Sequence, residues 1–340
     1  MTSESAAGGR PPEERGAATG GLLDVILLYD CNLACEFCTV MADVAVPGGV
    51  AEALRGRSLP AQKVVQAMKT DRARGFDAVA FTGGEPTLRA DLLPLVRQAR
   101  ALGFASVKLQ TNGLVFATPA NLERALEAGV TRFHLTIHAH REEVYDAIVR
   151  TPGRHAAMRA ALDAMVARGL DPTVDVLVSR RTLPELAASV GWLADRGVRR
   201  IDLWMVSLTD ANRGNLEMLP SYEEAMPAVH AALARARARG LAMRSLHGQR
   251  CVLEEAHAHA YAPGRAVARV HVLSPDDDFE LASSKLTPQT KVPACAGCRH
   301  EAVCPGLRPD YLEAFGDEEI ARLRSVPSRV PRRRSLPRAR

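Results

Sequence analysis

The sequence predicts an α/β fold: a (β/α)6 partial TIM barrel carrying a small cysteine-rich C-terminal extension. Three observations lead there. Short apolar runs alternate with longer helical stretches between residues 21 and 240, giving six strand–helix units. Glycines follow the helical stretches at Gly75, Gly103, Gly129, Gly169, Gly197 and Gly240, where a left-handed cap is least strained in glycine. After residue 240 the rhythm stops, and Cys251, Cys295, Cys298 and Cys304 gather there. Such alternation builds a parallel sheet with helices outside it. Six units are too few to close a ring of eight strands.

In order, residues 1–20 are rich in Gly, Ala, Glu and Pro and read as disordered. They lack the basic start and apolar core of a signal peptide, which places the chain in the cytoplasm. The first strand is Leu22–Leu28. A Gly/Ala/Val-rich insertion, Met41–Ser58, follows as a cover or a plain surface excursion. Helix Ala61–Arg74 precedes strand Asp77–Thr82, and helix Ala90–Leu102 precedes strand Ser106–Gln110. Helix Asn121–Ala128 leads to strand Arg132–Ile137, and helices Glu142–Arg150 and His155–Arg168 to strand Thr173–Val178. Helix Leu183–Arg196, strand Arg200–Val206 and the long helix Tyr222–Arg239 complete the core. The expected organisation is a disordered start (1–20), a core domain (21–240), a cysteine-rich region (241–325) and a disordered basic tail (326–340).

The 340 residues suffice for one barrel-like domain plus a small extension. No apolar run approaches membrane-spanning length. Cytosolic thiols stay reduced, so the cysteines point to metal binding or catalysis rather than disulfides. The formal charge of +5 includes six arginines within residues 329–340 and no acid there, so the remainder carries −1. That tail lacks interleaved aromatics, and a nucleic-acid partner is not expected.

The first strand runs into Cys31-Asn32-Leu33-Ala34-Cys35-Glu36-Phe37-Cys38, a C-x3-C-x2-C spacing. Three thiolates this close can hold three corners of an iron–sulfur cubane, because such clusters select soft ligands. A 4Fe-4S cluster takes four ligands, so one iron stays open to another molecule. A structural zinc site more often shows paired C-x2-C knuckles. In a parallel sheet of this kind ligands sit at the C-terminal strand ends. Gly83, Gly84 and Glu85 follow the second strand there, and Thr111, Asn112 and Gly113 the third. Thr136, His138 and His140 mark the end of the fourth, Ser179 the fifth, and Ser207 with Asp210 the sixth. All converge with the cysteines on one rim. Gly83 and Gly84 let a backbone approach a ligand. Glu85 and the strand-end backbone can accept hydrogen bonds from an ammonium group. Alone, Gly-Gly-Glu-Pro and Thr-Asn-Gly are also ordinary turns, and a strand-end histidine is often a structural hydrogen-bond partner.

C-x3-C-x-aromatic-C after a first strand, joined to Phe81-Thr82-Gly83-Gly84-Glu85-Pro86 after the second, resembles the radical S-adenosylmethionine (SAM) enzymes. The resemblance implies the partial barrel, a 4Fe-4S cluster on Cys31, Cys35 and Cys38, and SAM chelating the open iron. It implies that one electron, from an external flavodoxin- or ferredoxin-type donor, cleaves SAM to methionine and a 5′-deoxyadenosyl radical. That radical takes hydrogen from a substrate C–H bond. In the family the Gly-Gly-Glu-Pro element receives the SAM amino group, which assigns Thr82, Gly83, Gly84 and Glu85 to SAM. Phe37 resembles the aromatic position near the adenine. Asn112 stands where a contact to ribose hydroxyls or to a carboxylate is expected, Thr136 where relatives often have a serine facing the ribose, and His138 and His140 where SAM or substrate is within reach.

The second group, Cys295-Ala296-Gly297-Cys298 with Cys304-Pro305-Gly306, has C-x2-C-x5-C-x-G spacing, with Cys251 upstream. Four thiolates can close a tetrahedral zinc site or hold a second 4Fe-4S cluster, and ligand count does not separate these. The pattern resembles the auxiliary-cluster extensions called SPASM and twitch domains, which implies a second 4Fe-4S cluster. A full SPASM domain carries seven cysteines and two clusters, and Arg308 stands where another cysteine is usual. Cys251 is taken as the fourth ligand, with His247 or His300 as substitutes. A hairpin over Val267–Leu281 is expected beside this site, and a helix over Leu307–Phe315 beneath it.

The expected function is radical SAM chemistry on a ribosomally made peptide or a small molecule. The alternatives are a non-catalytic cluster or cofactor chaperone on the same fold, and a purely structural zinc protein. Only about twenty residues precede the first strand, leaving no room there for a leader-peptide-binding domain. That weakens the peptide reading without excluding it.

Overall fold

The computed structural model describes residues 20–246, 248–261, 269–281, 289–298, 300–302 and 304–323. The disordered start and basic tail expected from the sequence, and His247, lie outside these residues apart from Gly20. Nine strands form one sheet in the order β7-β6-β5-β4-β3-β2-β1-β8-β9. They are β1 Leu22–Ile26, β2 Ala78–Thr82, β3 Ser106–Thr111, β4 Arg132–Thr136, β5 Thr173–Val178, β6 Arg200–Met205, β7 Ala242–Leu246, β8 Val270–Leu273 and β9 Asp278–Glu280. Strands β1 to β7 run parallel in sequence order. The sheet is unclosed, with β7 and β9 at its edges, as the partial barrel requires.

The expected count of six strands is corrected. The parallel run has a seventh member, β7, beyond residue 240, where the sequence pattern predicts no further unit. Its sequence, Ala-Met-Arg-Ser-Leu, holds no β-branched or aromatic residue and so gives little strand signal. The hairpin expected in 267–281 forms as β8 and β9, but β8 pairs in parallel with β1, from Leu22↔Val270 to Val25↔Leu273. It extends the main sheet rather than forming a separate unit. The Ser274 hydroxyl receives Asp277 N (2.8 Å), and Ser274 N reaches Asp277 O (2.8 Å), which tightens the connection.

The period-2 pattern of the strands separates two faces. Leu23, Val25, Val79, Phe81, Val107, Leu109, Phe133, Leu135, Val174, Val176, Ile201 and Leu203 are buried on one of them. They pack against helices whose apolar residues recur at three- and four-residue spacing. Helix α2 (Ala61–Ala73) follows the short α1 (Val50–Leu54) and buries Val64 and Met68. Next, α3 (Leu92–Ala101) buries Leu92, Leu95, Val96 and Ala99, and α4 (Pro119–Ala128) buries Leu122 and Ala125. After α5 (Glu142–Val149), α6 (His155–Ala167) buries Met158, Leu162 and Met165, and α7 (Leu186–Asp195) buries Val190 and Leu193. Finally α8 (Tyr222–Ala238) buries Met226, Val229 and Leu233. Each fully buried Val, Leu or Met side chain among these contributes about 1.5–3 kcal/mol.

The other face carries Asp24, Lys108, His134, Asp175, Asp202, Trp204 and Arg244 at the alternate positions. Closed barrels of this class fill their interior with branched apolar side chains. Here the inner wall is polar.

The expected C-terminal helix is α9 (Pro309–Phe315), followed by α10 (Glu318–Leu323). Arg308, at the position where a cysteine is usual, is buried and ties this end to β6: its guanidinium donates to Met205 O (3.1 Å) and Val206 O (2.7 Å). Glu319 accepts from Tyr222 N and Glu223 N, placing a carboxylate at the N-terminus of α8.

Candidate active site

The loop after β1 carries Cys31, Cys35 and Cys38, all partly buried. Its amides already point at sulfur. Leu33 N donates to Cys31 Sγ (3.4 Å), and Val40 N and Met41 N donate to Cys38 Sγ (3.4 and 3.3 Å). Burial, with Glu85 and Cys38 nearby, pushes the Cys31 thiol up to about 11. Burial and the charges of Cys38 and Cys31 push Cys35 up as well, and burial raises Cys38. Three partly buried thiols on one loop are matched to a metal centre, whose charge would stabilise the thiolates.

The glycines of Gly83-Gly84-Glu85-Pro86 prove essential for contact with the chain itself. Gly83 has φ +126°, and a Cβ there would lie 2.3 Å from Leu28 O. A Cβ on Gly84 would lie 2.1 Å from Asp30 O. Backbone bonds lock this approach: Gly84 N to Leu28 O (2.8 Å), Glu85 N to Asp30 O (2.9 Å) and Leu27 N to Thr82 O (2.9 Å). The motif thus clamps the start of the cysteine loop.

Glu85 is fully buried. Its Oε1 accepts from Thr87 N (3.0 Å), Thr87 Oγ1 (2.6 Å) and Thr111 Oγ1 (2.8 Å), and its Oε2 accepts from Asn112 N (2.9 Å). The carboxylate therefore braces the ends of β2 and β3. In Glu85→Gln one oxygen becomes a donor facing these donors. The expected loss is about 1–3 kcal/mol of stability, read from urea unfolding; an unchanged midpoint would count against the brace.

Asn112 does two things. Its Oδ1 closes a turn by accepting from Leu114 N (3.1 Å), and its Nδ2 donates to Asn32 Oδ1 in the cysteine loop (2.7 Å). Thr136 is half-buried at the end of β4. His138 is buried and stands edge to face with Phe37, ring centroids 4.5 Å apart. Its Nδ1 accepts from Leu177 N (3.2 Å), which fixes the neutral ring with its proton on Nε2, and burial pushes its pKa down to about 3. His140 turns elsewhere: its Nδ1 lies 3.0 Å from Ser189 Oγ on α7 and 3.2 Å from Glu185 Oε2.

Sequence reasoning missed three groups. Arg181 grips Glu36 through two bonds (2.8 and 3.1 Å). Arg150 reaches the carbonyls of Ala34, Met41 and Ala42. On the inner wall, His134, Asp175 and Asp202 bring ligating atoms within 4.8 Å of one another. Arg244 already holds Asp202 (Nε–Oδ1 2.7 Å), and burial, then Lys108, Arg244, Arg132 and Arg200, pushes the His134 pKa well below its usual value. This cluster suits hydrogen bonding better than a cation. Burial, then the charge of Asp202, pushes Asp175 up to about 7. The folded chain therefore keeps a proton that the unfolded chain releases above about pH 4. Stability should fall as pH rises from about 4 to about 7, then level off. Asp175→Asn should flatten this slope in urea unfolding run across that range.

At the second group, Cys251, Cys295, Cys298 and Cys304 line one cavity together with Arg250, Lys291, His300 and Ile320. Paired backbone bonds between Thr290 and Leu307 (2.8 and 2.9 Å) close the loop that carries three of them. Burial, then Cys304, Cys298 and Cys295, pushes Cys251 up to about 11. The expected ligand set is thus gathered in one place.

Residues 25–185 match the sequence model of the radical SAM superfamily. The chain carries a radical SAM domain. Members of this superfamily bind SAM and a 4Fe-4S cluster, and the domain spans the cysteine loop, the Gly-Gly-Glu-Pro clamp and the ends of β3 to β5. A PqqA peptide cyclase of Ruegeria pomeroyi is 29% identical over 235 residues, covering 68% of this chain and 60% of its own length. A probable GTP 3′,8-cyclase of Sulfurisphaera tokodaii is 24% identical over 226 residues, covering 66% of this chain and 67% of its own length. The chain therefore spans about three-fifths to two-thirds of these relatives. Streptococcus suis SuiB, solved with its precursor peptide SuiA, shares the fold with a TM-score of 0.62 at 12% identity, over 86% of this chain and 72% of SuiB. Among the described residues, no helix is long and apolar enough to cross a membrane.

Proposed function

We propose that this radical SAM domain cleaves SAM reductively and uses the resulting radical to take hydrogen from a C–H bond of a peptide substrate. The observation that carries this reading is the cysteine loop: three thiols in a preformed cradle of amides, clamped at the strand ends by Gly83, Gly84 and Glu85. Cys31, Cys35 and Cys38 would hold the 4Fe-4S cluster, which supplies the electron that splits SAM into methionine and a 5′-deoxyadenosyl radical. The chain's own residues position and shield. Strand-end backbone beside Gly84 receives the SAM ammonium while the Glu85 carboxylate braces that backbone. Phe37, held by His138, offers an aromatic face to the adenine, and Asn112 and Thr136 offer polar atoms to the ribose.

The four cysteines of the second cavity would hold an auxiliary 4Fe-4S cluster. The likeness of the C-x2-C-x5-C-x-G spacing to auxiliary-cluster extensions supports a cluster over zinc. The likeness to a peptide cyclase and to a peptide-bound fold relative supports a peptide substrate. The likeness to GTP 3′,8-cyclases supports a small molecule as the second reading. A flavodoxin- or ferredoxin-type donor and a cytoplasmic location belong to the same proposal.

Iron counting and electron paramagnetic resonance (EPR) test both sites. Anaerobic reconstitution should give about eight irons per chain with matching acid-labile sulfide, and about four in Cys298→Ala. Adding SAM should change the EPR spectrum of the reduced cluster in both proteins. Zinc in place of four irons would overturn the auxiliary cluster. A spectrum indifferent to SAM would overturn the open iron.

A further inference from the structure

Among the described residues, two non-glycine residues have left-handed backbone: Arg150 (φ 48°) and Asp210 (φ 49°). Each such position costs about 1 kcal/mol or more and persists where surrounding contacts impose it. Arg150 itself, and Ala211 next to Asp210, both hydrogen-bond to the cysteine loop.

Arg150 follows α5. Carbonyls of that helix, Val149 O and Ile148 O, accept from Ala34 N (3.1 Å) and Glu36 N (2.9 Å). The Arg150 guanidinium then returns to the loop and donates to Ala34 O (2.5 Å), Met41 O (3.0 Å) and Ala42 O (2.7 Å). The second hold comes from the turn after β6. Ala211 N donates to Thr39 O (3.0 Å), Asn212 Nδ2 to Phe37 O (2.5 Å) and Asn215 Nδ2 to Glu36 O (3.4 Å).

The geometry connects these holds to sulfur. Thr39 O and Val40 N are the two ends of one peptide plane. Ala211 fixes the carbonyl end, and the amide end donates to Cys38 Sγ (3.4 Å). Arg150 grips the carbonyl of Ala34, whose peptide leads into Cys35, and that of Met41, whose own amide reaches Cys38 Sγ (3.3 Å).

We infer that Arg150 and the Asp210–Asn212 turn form a clamp that presets the cysteine loop. It aims loop amides at the thiolates and sets a fixed positive charge beside Cys35 and Cys38. A cluster bound there is thereby retained, and its reduction potential is raised. Amide hydrogen bonds and nearby cations both stabilise the more negative, reduced state. Arg150 is a positioning residue on this account. The inference rests on Cys31, Cys35 and Cys38 holding the cluster.

The test uses the reconstituted full-length protein, with iron release to a ferrous chelator and the midpoint potential from an EPR-monitored titration. Arg150→Gly relieves the backbone strain and removes the grip. It is expected to release iron about tenfold faster and to have a lower midpoint. Arg150→Lys keeps the charge but loses the fork, so it should recover most of the potential and little of the retention. Asn212→Ala tests the other hold; it should speed release and lower the midpoint less than Arg150→Gly does, because the guanidinium charge stays. Wild-type release and potential in Arg150→Gly would overturn the clamp. If that variant fails to fold, wild-type release in Asn212→Ala would do the same. A wild-type protein without any cluster would instead overturn the reading of the three cysteines.

Discussion

Cys35→Ala is expected to abolish cluster assembly at the first site while leaving the fold intact. Cys35 is the middle ligand of the trio and sits on a loop held independently through Ala34, Glu36, Phe37 and Thr39. Alanine at position 35 therefore removes a ligand from a loop that these contacts still hold in place. Two thiolates cannot anchor a cubane that needs three from the protein. Reconstitution should therefore yield about four irons fewer per chain than wild type, with circular dichroism and the melting temperature nearly unchanged. A Cys35→Ala protein that kept the full iron content would remove Cys35 from the ligand set.

Gly84→Ala is expected to be the most damaging single methyl in the site. The new Cβ would lie 2.1 Å from Asp30 O and 2.5 Å from Tyr29 O, both backbone atoms that cannot swing aside. Either the end of β2 or the start of the cysteine loop must move, and the Gly84 N–Leu28 O and Glu85 N–Asp30 O bonds go with it. Overpacking of this kind costs about 1–3 kcal/mol, and broken backbone bonds add to it. Unfolding by urea should shift accordingly, and cluster loading should fall. Gly214→Ala supplies the control: its added Cβ meets nothing within 4 Å, so stability should not change. Equal behaviour of the two variants would contradict the close approach.

Much of this architecture was legible in the chain. Strong alternation marked β1 to β6, and glycine punctuation marked the helix ends. What stayed hidden depended on distant partners. The strand β7 lacks strand-forming residues and forms because β6 offers an edge. The strand β8 finds β1 from about 250 residues away, which local pattern cannot encode. The pair Gly83–Gly84 signalled a close approach, but the chain's own loop as the group approached was hidden. Glu85 was legible as important, yet its partners Thr111 and Asn112 come from the next strand. His140 read like His138, but distant partners separate them: His138 accepts from Leu177 N, while His140 lies against Ser189 and Glu185. Arg150 gave no signal at all, since an arginine after a helix is commonplace and its contacts lie more than a hundred residues upstream.

The central claim is that this chain cleaves SAM. The measurement is made anaerobically on reconstituted full-length protein, given SAM and a strong one-electron reductant, with methionine and 5′-deoxyadenosine quantified over time. The account predicts both products in equal amounts from the wild type and background levels from Cys35→Ala. A wild-type protein with a fully loaded, reduced cluster that binds SAM and forms no 5′-deoxyadenosine, with peptide substrates present, would contradict it and favour a cluster or cofactor chaperone.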